Sequence, residues 1–402
     1  MTNSTNPLLR KDTRRQFLST GAAVMLGTAA TFVSSAHAAD DKHRAVVIGH
    51  TGFGDYGHEL DRIFDDRPEI ELVAVADADV AGLARAKERL KAPHAFADYR
   101  KMIDQERPRL VCVVPRQTPE HHAMVMAALR AGANVFCEKP FATTLAEADE
   151  LLAEADRRGL KIAVGHQMRM QPAVTQLKRL ITDGELGQLI EMRAWGKQDA
   201  RAGGEDMMVL GVHLFDLMRF FAGEPEWCTS RVRIGGRDIT STDARIPKDN
   251  VGPVAGDEVF AQFSFAKGVY ATFTSHGGLR AEVGEWGLEL QGTKSAARIL
   301  GGFPCAVFLR TAKGWTSSGR QDEWRMLAAP ARTGGFTFAA ANKILVDDWL
   351  SAIAAGREPE CSGRNAAKAI EMVMAVYQAA LTGRRVPFPL TARTHPLTSG
   401  QR

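Results

Sequence analysis

The spacing of apolar residues changes along this chain. Short apolar runs occur at 44–49, 70–77, 110–114, 134–137 and 161–164. Between them, over 60–64, 80–90, 121–129 and 145–155, apolar residues recur at helical intervals. Strands that are apolar throughout are buried on both faces, and the helical segments supply the covers. The pattern therefore predicts an α/β fold with a parallel sheet between two helical layers. Beyond 165 the pattern shifts to alternation. Segments 187–196, 259–265 and 269–275 alternate apolar and polar residues, 286–291 follows, and Lys267-Gly268 marks a hairpin.

The first strand-to-helix turn reads Gly49-His50-Thr51-Gly52-Phe53-Gly54-Asp55-Tyr56-Gly57. Gly52, Gly54 and Gly57 fit G-x-G-x-x-G, in which small residues allow a tight turn, backbone approach to a pyrophosphate, and close helix–strand packing. A strand precedes the motif, a helix is expected after it, and Asp77 ends the next strand 20 residues after Gly57. An acid there accepts from a ribose 2′-hydroxyl and repels a 2′-phosphate, which favours NAD over NADP. Thr51, Gly52, Phe53, Gly54, Gly57 and Asp77 are the expected nucleotide contacts. Gly49 directly follows the strand, so the loop is longer than usual.

The length of 402 residues suits two domains, and 45% hydrophobic content supplies their cores. The formal charge of +4 matters through its location: Arg10, Lys11, Arg14 and Arg15 against Asp12 place +3 in residues 1–38, leaving +1 for the other 364. No basic excess remains for nucleic acid. Arg14-Arg15-Gln16-Phe17-Leu18 precedes an uncharged, small-residue stretch, and Ala36-His37-Ala38 presents a cleavage pattern. Residues 1–38 are expected to be a twin-arginine export signal, cut near Ala38, with the export machinery as partner and the periplasm as destination. The stretch 16–39 is also long enough for an uncleaved anchor. The five cysteines, Cys112, Cys137, Cys228, Cys305 and Cys361, form no C-x-x-C pair; they suggest no metal and require no disulfide.

Cys137-Glu138-Lys139-Pro140-Phe141, preceded by Ala128-Leu129-Arg130-Ala131-Gly132-Ala133-Asn134-Val135, resembles the Gfo/Idh/MocA family of sugar oxidoreductases. The resemblance covers about 44–390. It implies a Rossmann domain (43–165) and a substrate and oligomerisation domain (166–390) whose large, open, mostly antiparallel sheet lines the cleft, with closing C-terminal helices and pairing into a homodimer or homotetramer. It places Lys139 between nicotinamide and substrate, with Glu138 orienting Lys139 or the cofactor amide. It marks His213 and Asp216 as a G-x-H-x-x-D pair, and His166, Gln167 and Arg169 as contacts near the nicotinamide. The acid expected four residues before His213 is replaced by Val209. Asp206, seven residues before His213, lies on the same face of an ideal helix and is the candidate replacement carboxylate.

Three functions are compatible with these residues. One is NAD-dependent oxidation of a sugar, polyol or sugar derivative, with a tightly held cofactor because free NAD is scarce outside the cytoplasm. The second is a redox-neutral, NAD-dependent glycoside hydrolase or lyase. The third is a non-catalytic sugar-binding relative, for which Val209 is the argument.

Overall fold

Six strands form the first sheet: β1 (His43–Ile48), β2 (Ile70–Ala76), β3 (His94–Phe96), β4 (Leu110–Val113), β5 (Asn134–Cys137) and β6 (Ile162–Val164). Their order is β3-β2-β1-β4-β5-β6, with every pair parallel. The interiors of β1, β4 and β5 are inaccessible to solvent, as their unbroken apolar composition requires. The strand order reverses between β1 and β4, which opens a crevice at their carboxyl ends, where ligands bind in open α/β sheets. The computed structural model describes residues 42–279, 285–302, 304–310, 323–327 and 337–398, so the predicted leader at 1–38 lies outside the described residues.

The helices α1 (Val80–Leu90), α2 (Tyr99–Glu106), α3 (His121–Arg130) and α4 (Leu145–Arg158) connect these strands. Asp79 and Thr144 accept N–H bonds from Gly82 and Glu147 at the starts of α1 and α4, caps worth about 1 kcal/mol each. One expectation fails. The segment after the glycine loop is no α-helix but a 3-10 turn, Gly57–Arg62, in which His58 and Glu59 adopt left-handed conformations. Leu60, Ile63 and Phe64 still bury against the sheet, so the apolar spacing read as a helix is satisfied by a turn that packs the same residues.

After α5 (Pro172–Thr182), the second sheet gathers β7 (Leu189–Trp195), β8 (Pro225–Ile234), β9 (Arg237–Asp238), β10 (Glu258–Phe265), β11 (Val269–His276), β12 (Gly287–Gly292), β13 (Ala296–Leu300), β14 (Ala306–Arg310), β15 (Trp324–Met326) and β16 (Val386–Pro387). Among described residues the order is β15-β14-β13-β12-β7-β11-β10-β8-β16, with β9 on β8. It is antiparallel except where β7 and β11 run together. Alternation sets its two faces: Val259, Ala261, Phe263 and Phe265 point inward, whereas Phe260 and Tyr270 are exposed. The β10–β11 hairpin closes at Lys267-Gly268, both with positive φ.

Against the inner face lies a helix in three parts: α6 (Gly204–Asp206), a π-helical turn over Met207–Gly211, and α7 (Val212–Ala222). Phe215 of α7 packs edge-on to Phe263 and Phe273, with centroids 5.5 and 5.1 Å apart. The two closing helices are α8 (Phe338–Ala355) and α9 (Gly363–Thr382). α8 returns to the nucleotide-binding half, where Trp349 meets Phe136 edge-on at 5.8 Å. One face of the first sheet is thus covered by residues from the far end of the chain, and Lys42–Arg402 forms one unit.

Candidate active site

A cavity of about 460 Å³ lies between the two halves, bordered by His58, Lys139, Lys197, Val209, His213 and Trp286 among others. Lys139 follows β5 and is buried. Its ammonium donates to the Val209 carbonyl at 2.9 Å. Burial pushes its pKa below the ordinary lysine range, and the charges of Lys197 and Arg116 add to the effect against Glu138. Glu138 is completely buried, and its carboxylate accepts from the Lys139 backbone N–H at 2.9 Å and pairs with His58. Burial alone would raise its pKa, but the charges and hydrogen bonds of His58 and Lys139 outweigh it and hold it at about 2. Glu138 therefore fastens the glycine-loop turn to the strand end that presents Lys139.

His213 projects from the first turn of α7. Its Nδ1 is buried and has no hydrogen-bond partner among the described residues. Burial, then the charge of Lys139, push its pKa well below the usual histidine value, so the ring is neutral near pH 7. The His166 ring lies 5.3 Å away and that of Trp286 6.4 Å.

Other expected site residues form the frame. Arg169 grips Asp216 with two bonds of 2.8 and 2.7 Å, and both are buried. Burial opposes ionisation of Asp216, but Arg169 prevails and holds the carboxyl far below its usual range. The Nδ1 of His166 lies 3.8 Å from the same carboxylate. Asp216 is thus held by Arg169 behind the His166–His213 pair, away from the cavity-lining set. Gln167 donates to Asn342 of α8 at 3.0 Å, and Asn342 donates to the His58 carbonyl at 2.9 Å, tying both halves to the loop.

Asp206 is not brought to His213. Its carboxylate accepts from Ser275 Oγ and the Lys197 N–H, both at 2.9 Å, and burial pushes its pKa up to about 6. The same-face arithmetic assumed an α-helix, but Met207–Gly211 is a π turn, which rotates less per residue and breaks the seven-residue register. That turn lies where the missing acid was expected, and Lys139 meets a backbone carbonyl there.

At the nucleotide end, Asp77 accepts from Thr51 N–H at 3.0 Å, Thr51 Oγ1 at 2.6 Å and Tyr56 O–H at 3.0 Å. It borders a cavity of about 530 Å³ with Gly49, His50, Tyr99 and Met124. Phe53 is exposed and lies beside the His50 ring at 4.7 Å. A smaller cavity of about 140 Å³ is lined by Gly52, Gly54, Arg116 and Lys248. The third glycine, Gly57, packs against Arg116 and Glu138.

The Gfo/Idh/MocA family profile described as an oxidoreductase family with an NAD-binding Rossmann fold matches residues 43–166, and its C-terminal alpha/beta domain profile matches 178–388. The chain belongs to the Gfo/Idh/MocA oxidoreductase family. A D-apiose dehydrogenase of Paraburkholderia graminis is 26% identical over 387 residues, 90% of this chain and 94% of that protein. A trans-1,2-dihydrobenzene-1,2-diol dehydrogenase of Bos taurus is 30% identical over 290 residues, 67% of this chain and 76% of that protein. A levoglucosan dehydrogenase crystallised with NADH and levoglucosan shares the fold, with a TM-score of 0.70 over 87% of this chain and 100% of that one at 19% identity.

For a Gfo/Idh/MocA oxidoreductase, the crevice at β1 and β4 is the place for NAD, and the residues there fit it. A Cβ on Gly54 would stand 2.5 Å from the backbone nitrogens of Arg116 and Gln117, so only glycine lets the loop lie this close. Arg116 and Lys248, with Asp55 and Asp249 beside them, would meet a pyrophosphate in the small cavity, and Asp77, whose carboxylate already accepts from Thr51, Tyr56 and Asp79, borders the cavity a ribose would enter. The α-helix amino terminus expected behind the loop is replaced by the 3-10 turn. Gly54→Ala is expected to destabilise the fold by about 1–3 kcal/mol, since φ there is +93°, and to weaken NADH binding. Thermal unfolding and NADH fluorescence titration measure the two effects.

His58, Lys197 and Trp286 escaped the sequence reading. His58 directly follows Gly57, a position that could have drawn attention; Lys197 and Trp286 carried no local signal.

Proposed function

We propose that this NAD-dependent oxidoreductase oxidises a hydroxyl of a sugar or polyol outside the cytoplasm, with a nucleotide loaded before export and retained between turnovers. The observation that carries this reading is the meeting of Lys139, from the nucleotide-binding half, and His213, from the second half, in one cavity beside the glycine-loop crevice. The names of the relatives, D-apiose dehydrogenase and levoglucosan dehydrogenase, support a carbohydrate. Arg14-Arg15 and the small residues before position 39 support twin-arginine export and a periplasmic destination. Exposed Phe260 and Tyr270 on the outer sheet face support association of copies through that face.

NAD, when bound, supplies the hydride acceptor. The chain handles the proton. In the tautomer protonated on Nδ1, the nitrogen sealed from the cavity, neutral His213 accepts the hydroxyl proton at Nε2. Lys139 uses one N–H on the Val209 carbonyl and has two left to hold the substrate oxygen as it becomes a carbonyl oxygen. The Val209 carbonyl fixes the ammonium without adding negative charge, so Lys139 keeps its lowered pKa.

The test is purification from the periplasm of a host that expresses the whole chain. Nucleotide is expected to survive gel filtration, to be released on denaturation, and to be reduced by a carbohydrate without added NAD. Arg14→Lys with Arg15→Lys is expected to keep the protein inside. Nucleotide-free protein whose rate follows added NAD would overturn retention, and undiminished export of the double variant would overturn the leader. Cleavage of aryl glycosides with no reduced nucleotide accumulating would replace net oxidation by redox-neutral elimination.

A further inference from the structure

The cavity that joins Lys139 and His213 is lined by four cationic side chains, Arg116, Lys139, Lys197 and Arg201, against one carboxylate, Asp249. Two of the cations have other work. The Arg201 guanidinium lies 3.4 Å from Asp249 and 3.6 Å from Asp199. Arg116 also borders the small cavity at the glycine loop, where a pyrophosphate requires charge. Lys139 holds the Val209 carbonyl and faces the reacting oxygen. Lys197 is left over. Its backbone N–H is bonded to Asp206, but its ammonium enters no ion pair or hydrogen bond among the described residues. Burial and then Arg201 lower its pKa, against the pull of Asp206, Asp199 and Asp249. The charge of Lys197 is also felt at Lys139.

A half-buried cation without a partner is costly unless a ligand supplies the counter-charge. The oxidised nicotinamide ring is itself cationic, which deepens the positive excess around the substrate. We infer that Lys197 is a carboxylate-binding residue, so that the substrate is a sugar acid, an aldonate or uronate, whose carboxylate sits on Lys197 beside Arg201 while its hydroxyl meets Lys139 and His213. This deepens, and rests on, the reading of the cavity as a site of carbohydrate oxidation.

The test compares kcat/KM for glucuronate, galacturonate and gluconate with that for glucose, galactose and their 6-phosphates, in the wild type, Lys197→Met and Lys197→Arg. Binding is measured separately by quenching of tryptophan fluorescence with glucuronate, since Trp286 lines the cavity. The acids are expected to be preferred. Lys197→Met is expected to cut the acid-to-neutral ratio by about 10- to 100-fold, mainly through KM, as loss of one charge-assisted hydrogen bond does; Lys197→Arg retains most of it. If Lys197→Met is insoluble, Lys197→Gln takes its place. Equal use of acids and neutral sugars, with a ratio unmoved in the Met variant, overturns the inference and leaves the oxidoreductase reading intact. Preference for the 6-phosphates overturns the carboxylate. If no carbohydrate is oxidised, the underlying reading fails, and the titration still decides the subsite: glucuronate bound by the wild type and lost in Lys197→Met supports it, and no binding to the wild type overturns it.

Discussion

Lys139→Met is expected to lower kcat by about 10²- to 10³-fold, the range for loss of a donor aimed at the reacting oxygen, with a smaller change in KM. Methionine keeps length and apolar stem but removes every N–H. The substrate oxygen then develops into a carbonyl without its donor, and the Val209 carbonyl loses its 2.9 Å partner. The second loss leaves a partly buried acceptor and adds an instability of about 1 kcal/mol or less. Chemical denaturation separates it from the catalytic effect. Burial lowers the Lys139 pKa, so the alkaline limb of the wild-type kcat profile is expected below the ordinary lysine range and is expected to vanish in the Met variant. Lys139→Arg does not restore it, because a guanidinium stays charged throughout the accessible pH range. A Met variant within tenfold of wild type in pre-steady-state hydride transfer would remove Lys139 from the chemistry.

Much of this architecture was legible because burial on two faces leaves a strong trace. β1, β2, β4, β5 and β6 coincide with the short apolar runs, and the spacing of those runs along the chain predicts all five. β3 was not: it has three residues, the first of them exposed. β8 escaped as well, since it opens on a proline and its burial does not alternate cleanly. The site divides in the same way. Lys139 and His213 stand in recognisable local patterns, and both line the cavity. Arg169 and Asp216, also in such patterns, satisfy one another instead, because a buried guanidinium and carboxylate within reach pair before they serve a ligand. That pairing joins residues 47 apart, and no local window contains it. Asp206 was misplaced for a different reason. One π turn shifts the register of a helix whose residues look α-helical throughout. Lys197 is defined only by what surrounds it in space.

His213→Phe is expected to separate activity from stability. Phenylalanine keeps a ring between His166 and Trp286 but offers no proton acceptor, so kcat/KM is expected to fall by about 10²- to 10⁴-fold. Stability is expected to hold or rise, because the exchange removes a buried nitrogen without a partner, and such an atom costs about 1–3 kcal/mol in the native state. Sites shaped for catalysis commonly carry this conflict. The pH dependence supplies a second sign. Burial and the charge of Lys139 depress the His213 pKa in the folded chain, whereas the unfolded chain takes up the proton at the ordinary value near 6.5. The unfolded state therefore binds more protons below that pH. The His213 contribution to stability is full above about pH 6.5 and is lost as the pH falls toward the folded value. In His213→Phe this acid-side loss is expected to shrink, so the variant gains most over wild type in urea unfolding near pH 5. Greater sensitivity of the variant to acid would mean that His213 is charged in the native state, and a charged imidazole could not accept the substrate proton.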